Sequence, residues 1–238
     1  VKHDKILNAT FCISGRVNSE SSYSHTLYNF LESPLTNTLS EKININVSIE
    51  NDTRAFAYGE YMKGMVSGEK DVLFINDSWG LGLGIIIDGE LYRGRSGFAG
   101  EIGHMHVFNN DILCHCGKKG CLETEASGSA LQRIVKQRIE AGESSILTKK
   151  EGDIFTLDNI IDAINDEDPL CIDVIEKIGR NLGETVANLI NIFNPELVVI
   201  GGVMARTGDF LLQSVLTSVR KYSLNLVNKD TRLCLSKL

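Results

Sequence analysis

No stretch of the 238-residue chain supplies the ~20 consecutive apolar residues needed to cross a bilayer, which excludes a helical membrane protein. Positive charge is also short. The 24 Lys and Arg stand against 31 Asp and Glu, a net charge of −7, so no global positive field draws nucleic acid onto this chain. DNA binding is expected only through residues outside it. The opening Val1-Lys2-His3 lacks both an initiator Met and the basic-then-apolar layout of a secretion signal, so a fragment of a longer protein is expected. Short-period repeats and low-complexity tracts are absent too. What remains is 42% hydrophobic and 23% charged, the balance of a soluble globular chain with a buried core in one large domain or two small ones.

Six cysteines in a secreted chain would suggest bridges, but Cys114, Cys116 and Cys121 crowd together while Cys12, Cys171 and Cys234 are scattered. Clustered thiols point to metal. The scattered ones sit in apolar stretches, where Cys packs as a small hydrophobe, and a reduced, cytoplasmic setting is expected.

Strand patterns alternate with helical ones, the mark of an α/β chain. Ile6 to Ile13 reads as a buried strand running into Ser14-Gly15. Ser33-Pro34 reads as a cap with proline at the first helical position, followed by Leu35, Leu39 and Ile43 on one face. Ile45, Val47 and Ile49 alternate as a strand, ended by Asn51-Asp52 before a helical stretch, Ala55 to Met65. Val72 to Ile75 is a strand, Trp79 to Gly84 a glycine-rich turn, and Ile85 to Ile87 leads into Asp88-Gly89, a strong hairpin signal. Residues 97–121 read as a loop rich in Gly, His and Cys, and Leu122 to Ala141 as a helix. The longest helix is expected over Pro169 to Phe193; Leu197 to Ile200 is then a buried strand ending in Gly201-Gly202, with a helix over 209–221. Leu233 to Leu238 reads as a strand cut short before a missing helix.

His104 and the spacing Cys114-x-Cys116-x4-Cys121 make a four-ligand set of one imidazole and three thiolates, which suits tetrahedral Zn²⁺. Gly117 and Gly120 permit the tight backbone that lets the sulfurs converge. Four protein ligands leave no open position, so the expected ion is structural. The plainer alternative is three reduced loop cysteines beside an unrelated His. His106 and His115 read as surface histidines.

Gly97-Phe98-Ala99-Gly100-Glu101-Ile102-Gly103-His104, followed by Cys114-His115-Cys116-Gly117-Lys118-Lys119-Gly120-Cys121-Leu122-Glu123, resembles the signature of the ROK family of sugar-responsive repressors and sugar kinases. The likeness extends to Gly80-x-Gly82-x-Gly84, Gly94-x-x-Gly97 and Pro195 to Gly202, and so covers most of the chain. It implies an actin-like (ribonuclease H-like), two-lobed α/β ATPase fold with an incomplete amino-terminal lobe: residues 1–70 as the remainder of that lobe, residues 71–238 as the carboxyl-terminal lobe.

The resemblance also implies a sugar site of Asn51, Asp52, Glu101, His104 and Glu123, with Gly15 and Arg16 on a glycine turn beside it. Read from the residues alone, Asn51-Asp52 is equally a helix cap, and Arg16 a surface cation. Carboxylates and an amide suit a pyranose, whose hydroxyls both donate and accept. With one His104 nitrogen on the metal, the other is left for a hydroxyl. Asp52 would be the catalytic base only in a kinase, where ATP and Mg²⁺ would also be needed.

The nucleotide side would use Gly80, Gly82, Gly201 and Gly202, since backbone N–H groups cradle phosphate where side chains are absent. The family's first phosphate loop is not found, and Ser78-Trp79-Gly80 puts an indole where family kinases carry a small hydroxyl. The resemblance therefore implies the sugar-binding part of a repressor that would bind a sugar or sugar phosphate, contact DNA through a preceding helix-turn-helix and assemble as a homodimer or homotetramer. A hexose or N-acetylhexosamine kinase is the alternative.

Overall fold

The computed structural model describes residues 6–26, 33–149 and 155–238. Its amino-terminal elements are short: β1 (Ala9–Ile13), the pair β2 (Val17–Asn18) and β3 (Tyr23–Ser24), α1 (Leu35–Ile43), β4 (Val47–Asn51) and α2 (Asp52–Lys63). β1 and β4 are parallel, from Ala9 opposite Val47 to Ile13 opposite Asn51, with α1 in the crossover such a pair requires. Ile13, Val17, Leu35 and Ile49 form the small core beneath them.

The first strand departs from expectation. Pairing begins only at Ala9, and Thr10, Phe11 and Cys12 are exposed, because among the described residues this sheet has two strands and little apolar surface to cover it. Cys12 therefore does not pack as a core hydrophobe, whereas Cys171 is buried as expected. Pro34 takes the cap position of α1 with extended backbone (φ −50°, ψ 134°) instead of the first helical position.

Five strands, β5 (Val72–Asp77), β6 (Leu81–Ile87), β7 (Glu90–Leu91), β8 (Leu197–Gly201) and β9 (Arg232–Leu235), build the main sheet in the order β7-β6-β5-β8-β9. β5, β6 and β7 form an antiparallel meander, while β8 runs parallel to β5 and to β9. The hairpin expected at Asp88-Gly89 is present, both residues having positive φ. On one face, Leu73 and Ile75 meet a large core contributed by α3 (Gly128–Glu140), α4 (Leu157–Asn165), α5 (Pro169–Phe193) and α6 (Asp209–Tyr222). A short α7 (Asn225–Asn228) follows. On the other face, Val72 and Phe74 pack with Ala57 of α2, as period-two alternation requires. α5 spans its expected residues, starting at Asp168, which accepts the Cys171 N–H at 2.9 Å, and stopping at left-handed Asn194. Among the described residues, no helix is long and apolar enough to cross a membrane.

Two expectations are corrected beside the site. The helix expected over 122–141 is a single 3-10 turn (Leu122–Thr124) and then α3, because the Ser127 hydroxyl accepts the Ala130 N–H and restarts the helix there. The glycine-rich 79–84 segment is a turn only to Gly80; Gly82 and Gly84 lie within β6. Glycine in a strand marks a close approach, here of α2: a Cβ on Gly82 would lie 2.5 Å from Thr53 Oγ1, and one on Gly84 2.2 Å from Ala57 Cβ. Gly84→Ala should therefore destabilise the protein by about 1–3 kcal/mol through overpacking. Urea denaturation measures it, and unchanged stability would show that α2 can retreat at no cost.

Candidate functional site

The small sheet, the start of α2 and the turn after β5 meet at a cavity of about 460 Å³ whose lining includes Gly15, Asn51, Asp52, Glu101, His104 and Glu123. Six of the seven expected sugar contacts are thus brought together. Arg16 is exposed and outside the lining, while Ser14 and Thr26 line it instead.

Asn51 both caps α2 and walls the cavity. Its Oδ1 accepts the Arg54 N–H at 3.0 Å, and its Nδ2 donates to the Gly15 carbonyl at 2.9 Å and to Asp52 Oδ1 at 3.0 Å. Asp52 Oδ1 also accepts its neighbour's amide, Thr53 N–H, at 2.7 Å, and its Oδ2 accepts the Ser14 hydroxyl. The capping and ligand-binding readings of this dipeptide are therefore compatible.

Arg54, only 4% exposed, was not singled out by sequence reading. It donates to Glu50 Oε1 at 2.7 Å, to the Val17 carbonyl at 2.7 Å and to the Gly97 carbonyl at 2.5 Å, tying β4, β2 and the glycine loop together. Burial raises the Glu50 pKa, but the Asn51 N–H and the Arg54 charge outweigh it and hold the carboxyl below its ordinary value.

Glu123 is buried, with Oε2 accepting the Leu81 N–H at 3.0 Å and Oε1 lying 2.8 Å from His115 Nδ1. Gly80 leaves room for that carboxylate, since a Cβ there would come within 2.8 Å of Oε2. His115, expected as a surface residue, has an exposed side chain yet lines the cavity, and its ring packs edge-on to His104. Its position between two clustered cysteines was the available signal.

The four expected metal ligands also converge. The donor atoms of His104, Cys114, Cys116 and Cys121 lie within 4.8 Å of one another. Zinc–ligand lengths of about 2.3 Å (S) and 2.0–2.1 Å (N) in a tetrahedron place two sulfurs about 3.8 Å apart and a sulfur and nitrogen about 3.6 Å apart. Cys116 Sγ to Cys121 Sγ is 3.7 Å, and Cys114 Sγ to His104 Nδ1 is 3.6 Å. The donor set fits a tetrahedral cation. Burial pushes the Cys114 thiol up to about 12, so a cation is the natural means of holding it as a thiolate. His104 Nε2 faces the other way, 3.8 Å from Glu101 Oε2.

Gly201 and Gly202 stand outside the cavity lining. Gly202, with φ 83°, follows β8 so closely that a Cβ would lie 2.4 Å from the Asp77 carbonyl. The Asp77 side chain is fully buried, and neither of its carboxylate oxygens has a hydrogen-bond partner. Burial, with the Glu123 charge beside it, pushes its pKa well above the ordinary 3.8. The resulting cost is absent below the unfolded value and grows as pH rises toward the folded one. Asp77→Asn should therefore raise the melting temperature near neutral pH, with the gain shrinking as pH falls to about 4. A gain independent of pH in thermal melts would contradict this.

The sequence matches the ROK family over residues 2–236. It is 38% identical over 183 residues to the xylose repressor of Caldicellulosiruptor bescii, covering 76% of this chain and 46% of that protein. It is 36% identical over 195 residues to the glucokinase of Halalkalibacterium halodurans, covering 80% and 59%. The chain thus spans about half the length of the curated relatives it matches. Among solved structures, a ROK family transcriptional regulator homologous to the E. coli MLC protein superimposes with a TM-score of 0.86 at 35% identity, covering 98% of this chain and 59% of that one. A Streptomyces griseus ROK family glucokinase in complex with glucose and AMPPNP gives 0.79 at 33% identity, covering 87% and 68%.

Proposed function

The chain belongs to the ROK family, with its actin-like ATPase fold, and from that premise we propose that it is the sugar-binding effector part of a sugar-responsive transcriptional repressor. Family membership alone does not choose between regulator and kinase, because relatives of both kinds match over most of the chain. The observation that carries the choice is Trp79. The residue is 58% exposed and lines the same cavity as Asp52 and Glu123, so it is not a core residue. An indole beside Gly80 and Gly82 obstructs the close backbone approach that a phosphate needs.

In this reading the cavity binds a sugar or sugar phosphate through Asn51, Asp52, Glu101, His104 and Glu123. Zn²⁺ on His104, Cys114, Cys116 and Cys121 would hold the loop that His104 opens and that Glu101 and Glu123 flank. Residues 1–70 complete part of one lobe and residues 71–238 form the other. DNA is contacted by a helix-turn-helix outside this chain, in a cytoplasmic homodimer or homotetramer. By linkage, the effector should change operator affinity and operator DNA should change effector affinity by the same factor.

One observation favours the kinase reading: the Asp52 carboxylate lies in the cavity wall, where a general base for a sugar hydroxyl would stand. A coupled assay with ATP, Mg²⁺ and a panel of hexoses and N-acetylhexosamines should give no turnover. Phosphorylation that disappears in Asp52→Asn would replace the repressor reading with that of a kinase.

A further inference from the structure

Beside the main cavity lies a second of about 250 Å³, and the two share Trp79, His115 and Glu123 along their common wall. Resting on the reading of the main cavity as a sugar site, we propose that the ligand is a glycoside of at least two neutral sugar units, the first held in the main cavity and the second in the side compartment against Trp79.

Three features support this class of ligand. The Trp79 indole is 58% exposed in a turn that is firmly held: the Trp79 carbonyl accepts the Ser129 N–H at 3.1 Å and the Ser78 carbonyl accepts the Gly128 N–H at 2.7 Å. A large exposed aromatic face carried on a held turn at the junction of two cavities is a stacking surface for the C–H face of a pyranose. The side compartment mixes apolar Ile112 and Leu113 with polar Thr124 and Ser129, matching a ring with apolar faces and a hydroxylated rim.

Its electrostatics favour a neutral occupant. Arg133 donates to the Thr124 carbonyl at 2.7 Å and lies 3.5 Å from Glu125, so its charge is already met. The first amides of α3 are taken by the turn carbonyls, and the Glu123 carboxylate on the shared wall repels an anion.

The test is calorimetry on the full-length protein with monosaccharides and the disaccharides built from them, in wild type, Trp79→Ala and Leu113→Asp. Leu113 is exposed, so that substitution spares the core. At least one disaccharide should bind about tenfold or more tightly than its component monosaccharide, and both substitutions should collapse that ratio toward one. Monosaccharides binding as tightly as every disaccharide, or a ratio that survives both substitutions, would overturn the two-unit ligand and leave the sugar site standing. Binding of neither class would overturn the sugar reading and this inference with it.

Discussion

Cys116→Ser in the full-length protein should lose stoichiometric zinc, fall in melting temperature by about 5–10 °C and bind its sugar more weakly, all from one substitution. The reason is the poverty of the loop that carries the four proposed ligands. Between His104 and Leu122, His106, Val107, Leu113 and His115 are exposed, so few apolar contacts would hold that stretch once the ligand set is broken. The coupling to sugar runs through His104, whose Nδ1 faces Cys114 while its Nε2 faces Glu101 in the cavity. A freed imidazole would rotate, and the site would lose a fixed donor or acceptor along with its shape. Elemental analysis, thermal melts and calorimetry read the three effects. Unchanged melting together with unchanged sugar affinity would leave the cluster as three reduced cysteines beside a histidine.

Glu101→Gln should weaken sugar binding roughly ten- to hundredfold while barely moving stability. Removing one charged hydrogen bond to a hydroxyl costs ~1.5–3 kcal/mol. Glu101 is the informative carboxylate because its one ion pair among the described residues is the 3.8 Å approach to His104, so its loss tests ligand contact more cleanly than that of its neighbours. Glu123 supports the Leu81 amide and Asp52 the start of α2, and substituting either confounds binding with folding. Equal affinities of wild type and Glu101→Gln for the best sugar would place the site elsewhere.

The convergence of His104, Cys114, Cys116 and Cys121 was legible because ligand chemistry is written in spacing: a His and three Cys with glycines between them can draw their donor atoms together from a single stretch of chain. α5 was legible for a similar reason, its apolar face, proline start and asparagine stop all being local. Gly82 and Gly84 misled because a glycine run looks like a turn when its partner, α2, is unknown; only the packed helix shows that they permit contact within a strand. Cys12 and Phe11 misled in the opposite way, since apolar composition says that a strand seeks cover but not whether cover is supplied. Arg54 and Asp77 left no trace in sequence, because burial of a charge is decided by elements far apart in the chain.

The glycine contact between α2 and β6 bears on how the cavity walls are joined. α2 lies on β6 with only a methyl or hydroxyl between backbones, so the Asp52 carboxylate at its tip is anchored to the large sheet. Ser14 and Gly15 instead ride on β1 and its partner β4. The Ser14–Asp52 hydrogen bond therefore crosses a seam that runs through one peptide, Asn51–Asp52, as do the bonds from Arg54 to Glu50 and Val17, whereas the Gly15–Asn51 bond lies on the small-sheet side of it. A ligand hydroxyl on Asp52 would compete with Ser14 for a bond that spans this seam, so the cavity and the joint between the two sheets share the same carboxylate.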